Sequence, residues 1–170
     1  SYLNENQEQC QTDNERLEFL GDAVVGLCVA HMLMKSAPER KEGELSKLRS
    51  SLVSEPGLAD IARQVDLGRF IRLGKGERQS RGYDKNSILS DGFEALIAAV
   101  YLDAGFDVAY RLVNRLFKVS VKQVLNQDRL LDYKSMLQEI IQEQGAKIPE
   151  YRLHKEIGPD HDKIFEISLE

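Results

Sequence analysis

Apolar residues recur every three or four positions along most of the first 125 residues, and this spacing is that of an α-helix with one buried face. Residues 1–13 are mainly polar and are predicted to form a loop. A second irregular stretch, 68–85, places four glycines among basic side chains and is predicted to be a loop with short ordered pieces. The predicted helices cover 17–34, 42–53, 54–65, 86–104 and 107–125.

The pattern changes after residue 125. Residues 126–131 have the composition of a linker, and 133–144 again show the period of a helix. Segments 151–157 and 163–169 alternate apolar and polar residues, as half-buried strands do. The fold class predicted from these patterns is mainly α, with a small α-β-β unit at the end of the chain.

Three carboxylates lie close together in the first long predicted helix. Glu15, Glu18 and Asp22 are spaced three and four residues apart, so an α-helix places them on one face. Two carboxylates about 4 Å apart repel each other by roughly 4 kcal/mol at an effective dielectric constant near 20. This arrangement indicates that a cation or a shared proton relieves the repulsion.

A second acidic pair, Asp91 and Glu94, lies on a predicted helix that is rich in alanine and therefore permits close approach of a neighbour. If the two helices pack together, these acids converge with Glu18 and Asp22 into a site with only oxygen ligands. Such ligands suit Mg²⁺ or Mn²⁺ better than zinc. The alternative is that all four are ordinary acids on solvated helix faces.

Composition and charge narrow the class of protein. The chain is 42% hydrophobic and 30% charged, as ordinary globular proteins are. No uninterrupted apolar run approaches the length of a membrane-spanning helix, so no membrane association is expected. Cys10 and Cys28 do not form a CxxC pair and are expected to be free thiols, which favours a cytoplasmic location.

The charge is unevenly distributed along a chain whose net charge is −5. Residues 69–85, the basic segment, hold six basic side chains against two acids, whereas 132–170 hold five against nine. A polyanion such as a nucleic acid would therefore meet the basic segment, with Arg78 and Arg81 as candidate contacts. The alternative for this segment is an ordinary solvated loop.

Two motifs resemble a known family. The stretch 15–23 (ERLEFLGDA) resembles the signature of the ribonuclease III endonuclease domain, and 88–97 (ILSDGFEALI) resembles the second acidic motif of that family. The stretch 42–52 (EGELSKLRSSL) is similar to the segment between them. The resemblance implies an all-helical endonuclease domain over 1–125. It also implies that four acids are metal ligands, with Asp22 and Glu94 closest to the catalysis: Glu18, Asp22, Asp91 and Glu94.

The resemblance implies roles for three further residues. Glu15 and Glu42 would be accessory acids of the catalytic valley, although acids at helix starts are also favoured by the helix dipole alone. Phe19 would be a knob that fits a socket on the other subunit of a homodimer. The alternative for Phe19 is a place in the hydrophobic core.

The end of the chain resembles a different module. Residues 132–139 (DYKSMLQE) are similar to the start of a double-stranded-RNA-binding domain of α-β-β-β-α topology, so 132–170 would be part of one, after a linker at 126–131. By this resemblance the chain is expected to be a piece of a longer protein, lacking a first helix before Ser1 and a lysine-rich helix after Glu170. The residues implied to contact the RNA minor groove are Ser135, Gln138, Glu139 and His161.

Together the two resemblances imply a double-stranded-RNA-specific endoribonuclease that requires Mg²⁺, with Mn²⁺ as a substitute, and that needs no nucleotide cofactor. Its products would carry 5′-phosphate and 3′-hydroxyl ends, and its role would be rRNA or mRNA processing in the cytoplasm. Two alternatives are a catalytically silent double-stranded-RNA-binding or structural subunit of the same fold, and a metal-dependent nuclease that acts on DNA.

Overall fold

The structure, a computed structural model, describes residues 2–5, 12–143, 151–157 and 164–169. For 128–143 and for part of the two strands this description covers the backbone only. The chain divides into two compact units, Ser1–Leu125 and Asn126–Glu170, and each is described by itself.

The described residues contain seven α-helices, two 3₁₀ turns and one pair of strands. The helices are α1 (Tyr2–Glu5), α2 (Glu15–Ser36), α3 (Glu42–Leu52), α4 (Glu55–Gln64), α5 (Lys75–Gln79), α6 (Asn86–Ala104) and α7 (Phe106–Glu143). The 3₁₀ turns are Leu67–Arg69 and Gly82–Asp84, and the strands are β1 (Tyr151–Ile157) and β2 (Ile164–Leu169).

The long helices begin and end where the local sequence predicts. At the start of α2, the Asp13 carboxylate accepts a hydrogen bond from the backbone N–H of Glu15 at 3.3 Å, and α2 ends one residue before Ala37. At the start of α4, the Ser54 hydroxyl accepts a hydrogen bond from the backbone N–H of Gly57 at 3.3 Å. Ser54 therefore caps the start of α4.

The core of the first unit is built around α2 and α6. The Phe93 ring of α6 lies 6.1 Å from the Phe117 ring of α7, measured between centroids, and both rings are fully buried. The buried apolar face of α2 and the inner face of α4 complete the core. Its principal members from α2 and α4 are Val25, Cys28, Val29, Leu33, Leu58 and Ile61.

Among the described residues, α2 is the one helix that is long and apolar enough to cross a membrane, judged by length and composition alone. Its apolar residues have another explanation in this structure, because Val25, Val29 and Leu33 are buried in the core against the other helices. Glu18 and Asp22 interrupt the apolar surface near its first turns. α2 is therefore the central helix of the first unit.

One local prediction was wrong. Residues 2–5 are helical rather than a loop, and the Glu5 carboxylate accepts hydrogen bonds at 2.9 and 3.1 Å from the backbone N–H of Lys75. Residues 126–131, predicted to be a linker, are helical and lie within α7, since the chain has no glycine or proline between Gly105 and Gly145. The predicted helix 54–65 ends one residue early, and the side chain of Val65 is 37% exposed.

The two predicted strands of the second unit are confirmed. β1 and β2 pair antiparallel, with Tyr151 opposite Leu169 and an irregularity in the register between Leu153 and Lys155. The His154 ring, within that irregularity, makes a hydrogen bond of 2.7 Å with the Ser168 hydroxyl. The residues between the two strands, 158–163, lie outside the described residues.

Candidate active site

The backbones of α2 and α6 touch at one glycine. A Cβ atom added to Gly21 would collide with the carbonyl group of Glu94, so only glycine permits this approach. Asp22 follows Gly21 directly, and Glu18 lies one turn earlier on the same helix. The contact between the two helices therefore brings the acids of α2 beside those of α6.

The carboxylates of the two helices perturb one another. Burial, followed by the negative charges of Asp22, Glu18 and Asp91, raises the pKa of Glu94 to about 7. Burial also raises the pKa of Glu18, with further contributions from Asp91, Glu15 and Asp13. These shifts indicate that the acids predicted from the sequence face one another across the junction of α2 and α6.

The donor set suits a hard divalent cation, because carboxylate oxygens are the ligands that such ions prefer. The side chains are not gathered at ligand distances, since in the described part of the chain no group of three or more His, Cys, Asp and Glu residues is placed to hold a metal ion. Carboxylates without a counter-ion repel one another. Rotation between staggered side-chain rotamers is enough to bring Glu and Asp carboxylates together around a cation. The metal-ligand assignments of Glu18, Asp22, Asp91 and Glu94 remain predictions.

Ser90 is a polar neighbour of the acids that the sequence did not single out. Its hydroxyl donates a hydrogen bond to the carbonyl oxygen of Ser87 at 2.9 Å and lies 3.4 Å from a carboxylate oxygen of Asp91. The residue is buried, so its hydroxyl stays within α6 and next to the Asp91 carboxylate. A serine on the apolar side of a helix, directly before an acid, is the sequence signal that could have identified it.

The two accessory acids differ in their surroundings. Glu15 is exposed in the first turn of α2, and its charge contributes to the raised pKa of Glu18. Glu42 is exposed in the first turn of α3 and is not among the groups that raise the pKa of Glu18 or Glu94. The structure thus links Glu15 to the acidic site electrostatically, whereas Glu42 has the position that the helix dipole alone would favour.

Phe19 is 81% exposed, so the alternative that it belongs to the core of its own chain is wrong. Ala23, Leu27 and Met34 are also exposed and follow Phe19 at helical intervals of four, eight and fifteen residues. These four residues form one apolar face of α2, which we call the α2 stripe. It has no covering element in the described part of the chain.

The basic segment 69–85 is ordered by short helices and ion pairs. Its two acids are paired, Glu77 with Lys85 at 2.8 Å and Asp84 with Arg63 of α4 at 3.1 Å. The hydrogen bond from Lys85 holds the pKa of Glu77 below its ordinary value. Among the described residues no ion pair involves Arg72, Arg78 or Arg81, and all three side chains are exposed.

The candidate contacts of the second unit are only partly described. Ser135, Gln138 and Glu139 lie within α7, in the range for which the structure describes the backbone alone. His161 lies outside the described residues. Their roles in RNA binding remain predictions.

Comparison with known proteins identifies both units. A family model described as Ribonuclease-III-like matches residues 1–120. The chain belongs to the ribonuclease III family. A second model, described as a double-stranded RNA binding motif, matches 133–170, so both resemblances drawn from the sequence are confirmed. Members of this family are generally metal-dependent.

Curated relatives named Ribonuclease 3 match nearly the whole chain. The relative from Borreliella afzelii (strain PKo) is 48% identical over 169 residues, which cover 99% of this chain and 69% of the relative. The relative from Myxococcus xanthus (strain DK1622) is 46% identical and is covered to 65% of its length. These matches confirm a double-stranded-RNA-specific endoribonuclease and do not favour a silent subunit.

Solved structures show the same fold. The nuclease domain of ribonuclease III from Campylobacter jejuni, described as flexible in a region involved in dimer formation, has a TM-score of 0.61 and 47% identity. That match covers 62% of this chain and 74% of the solved one. Dicer from Pichia stipitis covers 91% of this chain with a TM-score of 0.53 and 24% identity, which shows a shared fold only.

Proposed function

We propose that this endoribonuclease cuts both strands of an RNA duplex by hydrolysis that depends on Mg²⁺, for which Mn²⁺ substitutes. Glu18, Asp22, Asp91 and Glu94 would hold the ion, and the products would carry 5′-phosphate and 3′-hydroxyl ends. The observation that supports this most directly is the raised pKa of Glu94, because three other carboxylates contribute to it. A divalent cation would offset that mutual repulsion.

The chemistry that such an ion supplies is ionisation of the attacking water and stabilisation of charge on the phosphate oxygens. The residues of this chain would prepare the site for it. Asp22 and Glu94 are held next to each other by the contact at Gly21, and Glu94 is half-buried. Ser90, within hydrogen-bond distance of Asp91, would orient that carboxylate. Glu15 and Glu42 would be accessory acids.

We further propose a homodimer formed through the α2 stripe, with Phe19 inserted into the partner subunit. Each chain has one acidic site, and cutting both strands of a duplex needs two sites. A two-fold axis supplies two identical sites on one substrate. The exposed apolar face of α2 supports this arrangement, because apolar side chains on one helix face are typical of a surface that another protein covers.

Recognition would depend on the A-form shape of the duplex and on its 2′-hydroxyls rather than on base sequence. Arg78 and Arg81 would contact phosphates beside the acidic site. Ser135, Gln138, Glu139 and His161 would contact the minor groove. The cellular role we propose is rRNA or mRNA processing in the cytoplasm, and the buried free thiol of Cys28 fits a reducing compartment.

The test is cleavage of a labelled, perfectly paired RNA duplex with and without Mg²⁺. The protein should cut both strands only with the metal, and Glu94→Gln should lower the rate by more than about 100-fold, because even residues that only support metal ligands contribute about 10- to 100-fold. RNA binding, measured in EDTA, should be unchanged, since Glu94 is not proposed to contact phosphate.

The matched control is Asp103→Asn, which neutralises another acid of α6 that is exposed near the end of the helix. This variant should cut RNA at the rate of the unsubstituted protein. Equal loss of cleavage and of binding in Glu94→Gln would contradict the role assigned to Glu94. Metal-dependent cutting of a DNA duplex at a similar rate would contradict the proposed RNA specificity.

A further inference from the structure

The basic segment packs directly against the helix that carries Asp91 and Glu94. A Cβ atom added to Gly92 would lie 2.9 Å from Cδ1 of Ile71 and 3.7 Å from Cδ2 of Leu67. The side chains of Ile71 and Leu67 therefore cover the position on α6 that follows Asp91. Phe70 and Arg72, the neighbours of Ile71 in the chain, therefore belong to a stretch that is packed against α6.

The Phe70 side chain is 75% exposed although its backbone is held in place. Its N–H donates a hydrogen bond of 2.9 Å to the carbonyl oxygen of Leu67, which closes a 3₁₀ turn. Within the same turn, Gly68 approaches the carbonyl group of Tyr83 so closely that a Cβ atom would collide with it. The exposed ring is therefore attached to an ordered part of the backbone.

Arg63 of α4 fixes the other end of the segment. Its guanidinium donates hydrogen bonds to the Asp84 carboxylate at 3.1 Å, the Asp84 carbonyl at 2.9 Å and the Asn86 side chain at 2.7 Å. Asn86 is the first residue of α6. Because one planar guanidinium makes all these bonds, the basic segment and the start of α6 are held in a defined arrangement.

We propose that Phe70 is a stacking platform for an unpaired nucleobase of the substrate RNA, on the stretch packed against α6, with Arg72 neutralising an adjacent phosphate. In a continuous A-form duplex both faces of each base are covered by its neighbours. A bulge or an internal loop offers a free base face, which aromatic side chains bind by stacking. This inference rests on the proposed nuclease function and adds a preference for duplexes interrupted by unpaired nucleotides.

The charge around Phe70 favours RNA over a protein partner. The basic segment has a net charge of +4 from the six basic and two acidic side chains counted in the sequence. A second copy of this chain docked on the same surface would bring an equal positive charge, which is unfavourable. In a nucleic acid, a phosphate can pair with Arg72 and a base can stack on Phe70, so both the charged and the aromatic side chain are bound.

The test compares two RNA duplexes that differ only in an internal loop of unpaired nucleotides beside the cleavage position. Binding is measured in EDTA for the unsubstituted protein, for Phe70→Leu and for Phe70→Trp. Leucine keeps an apolar side chain without a π-face, whereas tryptophan keeps the π-face. The unsubstituted protein and Phe70→Trp should bind the looped RNA more tightly than the perfect duplex, and Phe70→Leu should lose about tenfold in affinity for the looped RNA only.

Three outcomes would overturn the inference: Phe70→Leu retains the preference for the looped RNA, it weakens binding to both RNAs equally, or it changes the oligomeric state in light scattering. Mg²⁺-dependent cleavage of the perfect duplex by the unsubstituted protein is measured as a separate test of the proposed function. Absence of that cleavage in the unsubstituted protein would contradict the proposed function instead, so the two failures are distinguishable.

Discussion

Ionisation of Glu94 makes the stability of the folded protein depend on pH. Its pKa is raised to about 7 from an ordinary value of 4.5 by burial and by three neighbouring carboxylates. Below pH 4.5 the group is protonated in both the folded and the unfolded chain. Between pH 4.5 and 7 the unfolded chain has released this proton while the folded chain retains it, so the folded state loses stability as the pH rises through this range and no further above it.

In EDTA, the free energy of unfolding is therefore expected to fall between pH 5 and pH 8 by about 1–2 kcal/mol more than in Glu94→Gln, after allowance for solvent screening of a half-exposed group. Denaturant titrations at the two pH values measure this difference. Asp103→Asn should follow the unsubstituted protein. If Glu94→Gln shows the same pH dependence as the unsubstituted protein, the carboxylate does not have the assigned pKa.

Some residues of the site were predictable from the sequence, and others were not. The spacing of Glu18 and Asp22, together with a family motif, was enough to select the acids. The role of Gly92 was not predictable, because it depends on Ile71, which lies 21 positions earlier and meets it only in the folded chain. Phe70 was missed for the same reason, since its exposure depends on tertiary neighbours, whereas the hydrogen bonds of Ser90 lie within α6.

At the scale of helices, the junction of α2 and α6 is expected to depend on Gly21. Replacing a glycine within a helix by alanine ordinarily stabilises the helix by about 0.5–1 kcal/mol. Gly26 lies in the same helix, and nothing would contact an added Cβ atom there. Gly26→Ala should therefore raise stability by about that amount. Gly21→Ala should lower it by about 1–3 kcal/mol, because the new methyl group meets the backbone of Glu94.

The stabilities of the two variants are compared from their unfolding midpoints in denaturant. The comparison requires that the m value be the same in both. Gly21→Ala should also reduce RNA cleavage, since the shift of α6 separates Glu94 from Asp22. Two variants of equal stability would show that the helices do not touch at Gly21.

The helices of the first unit were predictable because the capping and helix-ending residues in the local sequence agree with the helix ends in the folded structure. Ser54 caps α4, and Ala37 follows the end of α2, so their bounds lie within a few residues of the prediction. The helix at 2–5 was not predictable from its polar sequence, because a contact with Lys75 far along the chain accompanies it. The continuity of α7 through 126–131 follows from the absence of helix breakers, which outweighs the polar composition of that segment.

At the scale of the whole molecule, the α2 stripe is the surface on which the proposed homodimer depends. An aromatic side chain that fills a pocket of a partner typically contributes about 2 kcal/mol or more to association. Phe19→Glu should therefore weaken dimerisation by at least about tenfold, because it removes the anchor and places a charge at the interface. Light scattering at micromolar concentrations, where the unsubstituted protein should be a dimer, measures this change.

Val119 of α7 provides the matched control, since it is 63% exposed and lies on a different helix. Val119→Glu should remain dimeric and cut both strands of a duplex. Phe19→Glu should cut duplex RNA more slowly in proportion to its loss of dimer, and raising the protein concentration should restore the rate, because each monomer retains an intact acidic site. A monomeric unsubstituted protein that still cuts both strands, or a dimeric Phe19→Glu variant, would contradict the assignment of Phe19 to the subunit interface.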